Sequence, residues 1–381
     1  MNTSKKSKFS HYKNIILIPE NLRYSKPRFV VINRTTVPIK KLFVALTAAT
    51  IFTIVTAKAQ NNTRLAERLD SLIQTTAPRK FNGVIQISKG KKTLYQKAYG
   101  YADLEKKIPL RLDDNFVIMS NSKQITAVLI LLEMEKGNID INATIGKYLP
   151  ELSPSWTDSV TVHHLLNFTA GITEMDGQLL FTPGTDFKYG NTTYILLGRI
   201  LEKVSGETYE ILANGLFKRL RMNNTYCYNP QKIQKLVQGY RNNNNEMAAV
   251  NPALPSLGLV PAAGIISNVR DLAIWDHALH KGKILGDAAY QQMINYSITA
   301  QHIAFGHEKI GYGYGIRIND KTPPYYLGHT GGDKGYVSYK LYFPKEEINI
   351  IVLENQSAAQ FEHFYTMEMK IKELLMESLL H

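Results

Sequence analysis

The stretch Ser120-Asn121-Ser122-Lys123, followed by Gln124-Ile125-Thr126-Ala127-Val128-Leu129-Ile130-Leu131-Leu132-Glu133-Met134-Glu135, decides how this chain is read. From Gln124 on, the pattern is that of a helix, which stops at Gly137. A serine three residues before a lysine at the start of a helix sets both side chains on one face. The lysine amine can then take the serine proton, provided that burial or a neighbouring charge lowers its pKa. The helix N-terminus also favours negative charge developing there. Ser-x-x-Lys occurs at Ser10, Ser88 and Ser120, but Ser10 lies in the N-terminal segment and Ser88 ends a strand-like run, so Ser120 alone opens a helix. Taken by itself, the motif reads first as a helix N-cap followed by a solvated lysine.

Two motifs further along change that weighting. Tyr189-Gly190-Asn191 follows Pro183-Gly184-Thr185 and precedes a helix expected over 193–204. A tyrosine near a lysine can serve as phenolate base or proton relay, and an asparagine amide can fix the lysine or a substrate carbonyl. The plain reading is a surface turn with a packed tyrosine, which is what Tyr240-Arg241-Asn242, at the same spacing, is expected to be. His329-Thr330-Gly331-Gly332 precedes a strand expected over 336–343. Its glycines let a substrate backbone approach a strand edge, and its hydroxyl and imidazole can bind a carboxylate; alone it reads equally as a glycine turn.

Around these motifs the chain is organised symmetrically. Leu65, Leu69, Leu72 and Ile73 mark one face of a helix closed by Pro78. Residues 83–88 and 93–99 flank a Gly-containing turn and read as a hairpin. Residues 314–318, 336–343 and 348–353 are β-rich, and 361–380 carry a helical pattern. Helical patterns dominate between, over 120–285. The economical model is an α/β (α+β) fold: one antiparallel sheet built from both chain ends and flanked by helices, with an all-α lobe inserted. The polar tract 242–245 is expected to be a loop.

Of 45 basic and 32 acidic residues, 11 basic and one acidic lie in 1–59. From Gln60 onward 34 basic face 31 acidic residues, so the net charge of +13 makes no case for nucleic acid. Lys40-Lys41, an uncharged run over 42–55 and Ala57-Lys58-Ala59 read as a secretory signal cleaved after Ala59, which makes 1–59 a leader and 60–381 the mature domain. The alternative is an uncleaved membrane anchor at 42–57. The long segment before Lys40 suggests a translation start assigned too far upstream. The single cysteine, Cys227, excludes an intramolecular disulfide and any Cys-based zinc or iron–sulfur site.

Taken in this order, the three motifs resemble those of the serine β-lactamase and penicillin-binding-protein superfamily, in its class C β-lactamase, DD-peptidase and esterase branch. The resemblance covers residues 75–357. Phe81-Asn82-Gly83-Val84 through Tyr99-Gly100-Tyr101-Ala102 looks like the first hairpin of that branch. His164-Leu165-Leu166-Asn167-Phe168-Thr169-Ala170-Gly171 looks like its His-Leu-Leu-x-His-x-Ser-Gly segment. Ala262-Ala263-Gly264-Ile265-Ile266-Ser267 to Asp271 looks like its Gly-rich turn before a capped helix, and Gly328 to Gly335 closes the set. The resemblance implies an α/β sandwich of antiparallel sheet and helices with an all-α lobe, and a cleft between them. It makes Ser120 the acyl-accepting nucleophile, Lys123 its base partner and Tyr189 a general base or acid. Asn191, His329, Thr330 and Gly331 would bind substrate, and the N–H groups of Ser120 and Gly332 would form the oxyanion hole.

Departures from the pattern point to selectivity. His329 stands where many β-lactamases have lysine, a fixed cation, whereas histidine is only partly charged near neutrality. Phe168 and Ala170 replace the usual His and Ser. Only residues 172–182 separate Gly171 from Pro183, a short connection that would leave the cleft open. His163-His164, His302 and His307 have no ligand spacing for zinc, and Trp156, Trp275 and the 22 tyrosines are expected in packing and cleft walls. The lysines scattered after residue 60 are expected to be solvated. The expected function is an exported serine hydrolase forming an acyl-enzyme on an amide, lactam or ester bond, without metal or organic cofactor. Its partners would be a small-molecule or peptide substrate and no nucleic acid, with a membrane met only through an uncleaved leader. The alternative is a penicillin-binding sensor that acylates with little turnover.

Overall fold

A computed structural model of the chain describes residues 63–250, 256–333 and 335–379. The expected leader, its cleavage point after Ala59 and the alternative anchor at 42–57 lie outside them. Among the described residues no helix is long and apolar enough to cross a membrane.

The main sheet has eight strands, every neighbouring pair antiparallel. Across it run Thr299–His302, Gly306–Tyr312, Arg317–Asn319, Tyr326–Asp333, Tyr336–Phe343, Ile348–Glu354, Gly83–Lys89 and Lys92–Tyr99. The last strand of this sheet in chain order, Ile348–Glu354, thus pairs with the first, Gly83–Lys89, with Val84 opposite Leu353. Alternation along the strands divides the sheet between two cores. Ile85, Ile87, Ile350 and Val352 face the terminal helices, where Leu65, Leu69 and Ile73 of the helix over 63–73 meet Met367, Ile371 and Leu375 of Thr366–Leu379. Val84, Ile351 and Leu353 face the long middle of the chain.

The helix Ser122–Glu135 runs through that second core. It is apolar nearly all round, the mark of a helix enclosed by its own fold, and its residues from Ser122 to Leu131 are all buried. Trp275 Nε1 and Lys340 Nζ donate to Gln124 Oε1 at 2.7 and 2.8 Å, and Lys340 also pairs with Asp276, tying this helix to the helix Val269–His280 and to the sheet.

Three strand assignments differ from the sequence reading. Strand Tyr326–Asp333 contains the His329 motif, which therefore lies within the sheet and not in a turn before it. Thr299–His302 and Gly306–Tyr312 extend the sheet beyond the expected strands, and the run expected from Tyr314 begins only at Arg317. Tyr240-Arg241-Asn242 is no surface turn: Tyr240–Asn243 is a strand paired in parallel with Gln356–Ala358, and the Tyr240 hydroxyl accepts from Leu104 N. The 242–245 tract is the end of that strand and a turn at Asn244 and Asn245 leading into Glu246–Ala249. The inserted region holds one more small sheet, in which Ile265–Ser267 pairs with Phe116–Val117 and with Tyr226–Cys227.

Candidate active site

Ser120 sits in a 3₁₀ turn, Met119–Asn121, that feeds the helix Ser122–Glu135. Met119 is held at φ +49°, a left-handed conformation that a side chain adopts at a cost. Neighbours fix the turn from both sides. Asn121 Nδ2 donates to Ser338 Oγ at 2.8 Å, Ser338 Oγ donates to Ile118 O at 2.6 Å, and Ile265 N donates to Ser122 Oγ at 3.0 Å. Ser120 does not cap the helix, and Lys123 is not solvated but fully buried. Lys123 Nζ reaches Ser120 Oγ at 2.9 Å, Asn191 Oδ1 at 2.8 Å and Ala262 O at 3.0 Å. No carboxylate among the described residues pairs with it, and burial lowers its pKa from 10.5 to about 7. Near neutral pH much of this amine is unprotonated. It can then donate to Asn191 and Ala262 while its lone pair accepts the Ser120 proton.

Asn191 is the residue before the helix Thr192–Ser205, where an asparagine side chain ordinarily caps backbone N–H groups. Here it makes no cap bond and accepts from Lys123 instead. Tyr189 stands beside Ser120, and its ring lies 5.0 Å from Lys123 Nζ. The ring is partly open to the cleft, but desolvation pushes its pKa up to about 12, against the pull of Ser120 and the Arg317 charge. At rest it is therefore a neutral phenol, a proton donor and not a phenolate. Phe168, at φ +63° and fully buried, packs its ring 4.5 Å from that of Tyr189 and 5.0 Å from that of Tyr312. This is what the replacement of the family's usual histidine does here: it builds an aromatic wall behind Tyr189.

Ser120, Tyr189, His329, Thr330, Gly331 and Gly332 line one cavity of about 400 Å³, with Lys123 and Asn191 joined to it through Ser120. Strand Tyr326–Asp333 comes so close to the Ser120 turn that a Cβ on Gly331 would lie 2.7 Å from Ser120 N and would strike Ile118 O. Only glycine allows that approach.

The charge expected at His329 is absent. His329 is buried, and its pKa falls well below the ordinary value through desolvation and then the nearby Arg317 and Lys123. Its Nδ1 donates to Thr330 O at 2.6 Å, which leaves Nε2 as the acceptor of the Tyr312 hydroxyl at 2.9 Å. Both ring nitrogens are engaged and the ring is neutral, so His329 is neither a partly charged anchor nor a free donor for a carboxylate.

The cation of the pocket is Arg317, which the sequence reading passed over. It is 3% exposed, its guanidinium lies 5.3 Å from the Tyr312 ring and 5.6 Å from the Phe305 ring, and its Nε is buried without a hydrogen-bond partner. The hydrogen bond it makes among the described residues is a long one, 3.5 Å to Ala300 O. No carboxylate among the described residues pairs with it. His302, weighed in the sequence only as a metal ligand, also lines this cavity. Ala304 N donates to its Nδ1 at 3.2 Å, so in the neutral ring Nε2 carries the proton and donates to Thr330 Oγ1 at 3.3 Å. Burial and Arg317 push its pKa down to about 3, which keeps the ring neutral. The Thr330 hydroxyl proton is thereby left to point elsewhere. The cavity's remaining wall includes Phe361, Phe364 and Tyr365. Arg79 holds this segment by donating to His363 O and Phe364 O, while its guanidinium pairs with Glu354 and Glu368.

The family model Beta-lactamase matches residues 69–367. Penicillin-binding protein 4* of Bacillus subtilis (strain 168) is 26% identical over 331 residues, covering 76% of this chain and 72% of that protein. Beta-lactamase of Escherichia coli (strain K12) is 26% identical over 310 residues, covering 69% of this chain and 81% of that one. Among solved structures, the octameric penicillin-binding protein homologue from Pyrococcus abyssi superposes with a TM-score of 0.71 at 27% identity, over 82% of this chain and 77% of its own. With a family match over most of its length and this fold, the chain belongs to the beta-lactamase family as a serine hydrolase of the β-lactamase, DD-peptidase and esterase type.

Proposed function

We infer that the protein hydrolyses, through an acyl-enzyme on Ser120, substrates that carry a free carboxylate near the scissile amide or lactam bond, namely D-amino-acid peptides and β-lactams. The observation that carries this reading is Arg317, a buried guanidinium in the same cavity as Ser120 that forms no ion pair with a carboxylate of the described residues, although Asp333 also lines the cavity. A desolvated charge is costly until paired, and a guanidinium matches a carboxylate with two parallel hydrogen bonds. Thr330, turned by His302, supplies a further donor.

In this reading Ser120 Oγ bonds to the substrate carbonyl carbon while its proton passes to Lys123 Nζ. The N–H groups of Ser120 and Gly332 hold the oxyanion. The C–N bond then breaks, and the leaving nitrogen takes a proton from the Tyr189 hydroxyl, which Lys123 replenishes. Water, deprotonated by the same pair, releases the acyl group and restores Ser120. A pure binder would not need an amine tuned to about 7 beside the nucleophile, which favours turnover over a sensor that merely acylates. Substrates of this class occur outside the cytoplasm, in keeping with export by residues 1–59; N-terminal sequencing of the secreted form should give a chain starting near Gln60.

The test compares a peptide ending in D-Ala-D-Ala with its C-terminal amide. The acid should be the better substrate, and Arg317→Gln should raise its KM by about 30-fold or more, as expected when one partner of a desolvated charge pair is removed. Hydrolysis of a neutral p-nitrophenyl ester should change little. Equal kcat/KM for acid and amide in the wild type would remove the carboxylate from the substrate definition.

A further inference from the structure

A second cavity, of about 620 Å³, shares no lining residue with the first. Its walls come from the hairpin of Gly83–Lys89 and Lys92–Tyr99, the end of the helix Tyr209–Leu220, one face of Val269–His280 from Arg270 to Ala278, and Lys283 beyond it. Lys91, Arg219, Arg221, Arg270 and Lys283 all line it, and its lining contains no carboxylate. None of the five forms an ion pair with any described residue. Two carboxylates whose charges reach this group are already paired: Asp113, near Arg270, is bound to Lys235 at 2.7 Å, and Glu347, near His277, is bound to Lys281.

Scattered lysines were the expectation after residue 60, yet these five cations exceed the whole net charge of that region. Without them, 29 basic residues would face 31 acidic ones. Helix dipoles account for Arg219 and Arg221, which sit at a C-terminal end, but not for Arg270, which lies in the first turn of its helix, where a cation is disfavoured. His277, in the same lining, is pushed down by partial burial and then by Lys283, Lys91 and Lys281, so the charges converge closely enough to act on one ring. The floor is polar: Gln96 donates to the Gln86 carbonyl at 2.8 Å, which leaves the Gln86 amide hydrogens as donors without a described protein acceptor.

We propose that this cavity is a binding site for a phosphate-bearing anion with a polar body, such as a phosphorylated sugar or a glycerophosphate headgroup. Three arginine forks and two ammonium groups around one space suit the three acceptor oxygens of a phosphate, and the volume leaves room for the hydroxyl-bearing group that Gln86 and Gln96 would meet. Multivalent charge on the ligand relieves the mutual repulsion of the five cations. The site lies apart from Ser120, so it serves retention or localisation of the protein and not its chemistry.

The test titrates the full chain with inorganic pyrophosphate by calorimetry at fixed ionic strength. Saturable binding is expected, weakened by about tenfold or more in Arg219→Gln/Arg270→Gln, since each change removes a charge-assisted hydrogen bond at an exposed position. Lys147→Gln/Lys309→Gln, outside the cavity, should bind as the wild type does, and both variants should keep wild-type activity and melting temperature. Cosedimentation with phosphatidylglycerol vesicles, wild type against the Arg219/Arg270 variant, separates the sources. A loss confined to that variant and competed by pyrophosphate marks a lipid headgroup as the natural ligand; equal sedimentation of the two, with calorimetric binding intact, marks a soluble phosphate ester. Absence of saturable pyrophosphate binding, or equal weakening in the two double variants, overturns the proposal.

Discussion

Replacing Lys123 by methionine should change stability in opposite directions at neutral and alkaline pH. Burial holds the Lys123 pKa at about 7, against 10.5 for the free amine. The unfolded chain therefore binds the extra proton throughout the interval between those values, and native stability contributed by this group rises with pH across it and is lost as pH falls towards 7. At about 1.4 kcal/mol per pH unit the full interval is worth roughly 5 kcal/mol; about 4 kcal/mol of the penalty is in force at pH 7 and about 1 kcal/mol at pH 9.5. Methionine fills a similar volume without charge, but Ser120 Oγ, Asn191 Oδ1 and Ala262 O each lose a hydrogen-bond partner, at about 1 kcal/mol apiece. Lys123→Met should thus be about 1 kcal/mol more stable than the wild type at pH 7 and about 2 kcal/mol less stable at pH 9.5. The swing of about 3 kcal/mol is independent of the hydrogen-bond allowance. Urea unfolding of both proteins at the two pH values measures it. A difference that stays constant to within about 1 kcal/mol would mean that the amine titrates near its ordinary value, and Lys123 would then be an ammonium at neutral pH and no base. The same titration should appear in kinetics, with kcat/KM of the wild type rising as pH passes through about 7.

Gly331→Ala sets a methyl group against Ile118 O and Ser120 N; the shift this forces should lower kcat/KM for every substrate by about 100-fold, with a stability loss of about 1–3 kcal/mol. His302→Ala should raise KM for carboxylate substrates by about tenfold with kcat little changed, and His302→Gln, which restores an N–H donor to Thr330, should recover most of the loss. Phe168→Ala removes a fully buried ring from the aromatic cluster behind Tyr189, so chemical denaturation should show a loss of about 3–5 kcal/mol, and the loosened Tyr189 should appear as a fall in kcat.

The catalytic motifs were legible because their chemistry is local. Ser120 and Lys123 share one helical turn, and Tyr189 and Asn191 share one helix entry, so spacing alone brings each pair together. The sheet was legible from its terminal strands, where Val84–Ile87 and Ile348–Leu353 are β-branched and apolar. Tyr326–Asp333 escaped because Gly328, Gly331 and Gly332 erase the alternation that marks a strand, and because its place is set by contact with the Ser120 turn and not by its own propensity. Arg317 and His302 were out of reach for another reason. Their meaning depends on Ser120, Thr330 and Tyr312 arriving beside them, and Ser120 is far away along the chain. A lone arginine within the aromatic run Tyr312–Ile318 was the one available hint, since a buried charge needs a partner.

How the buried cations are treated separates structure from site. Arg79 is held by Glu354 and Glu368, and Lys340 by Asp276, as a fold must arrange for charges it intends to keep. The two cations at the catalytic site form no ion pair with a carboxylate among the described residues, and they answer burial differently. Lys123 can shed its proton, and that escape is what makes it a base. Arg317 has no such route: burial lowers its pKa, but a guanidinium starts too high to become neutral near pH 7. Only an arriving anion can balance it. The neutral ring at His329 fits this arrangement, because a lysine there, as in many β-lactamases, would bring a second permanent charge beside Arg317. The pocket's fixed cation has in effect moved from the motif strand Tyr326–Asp333 to its neighbour Arg317–Asn319. On the proposed reading, substrate preference in this chain rests on the reach and angle of Arg317 relative to Ser120.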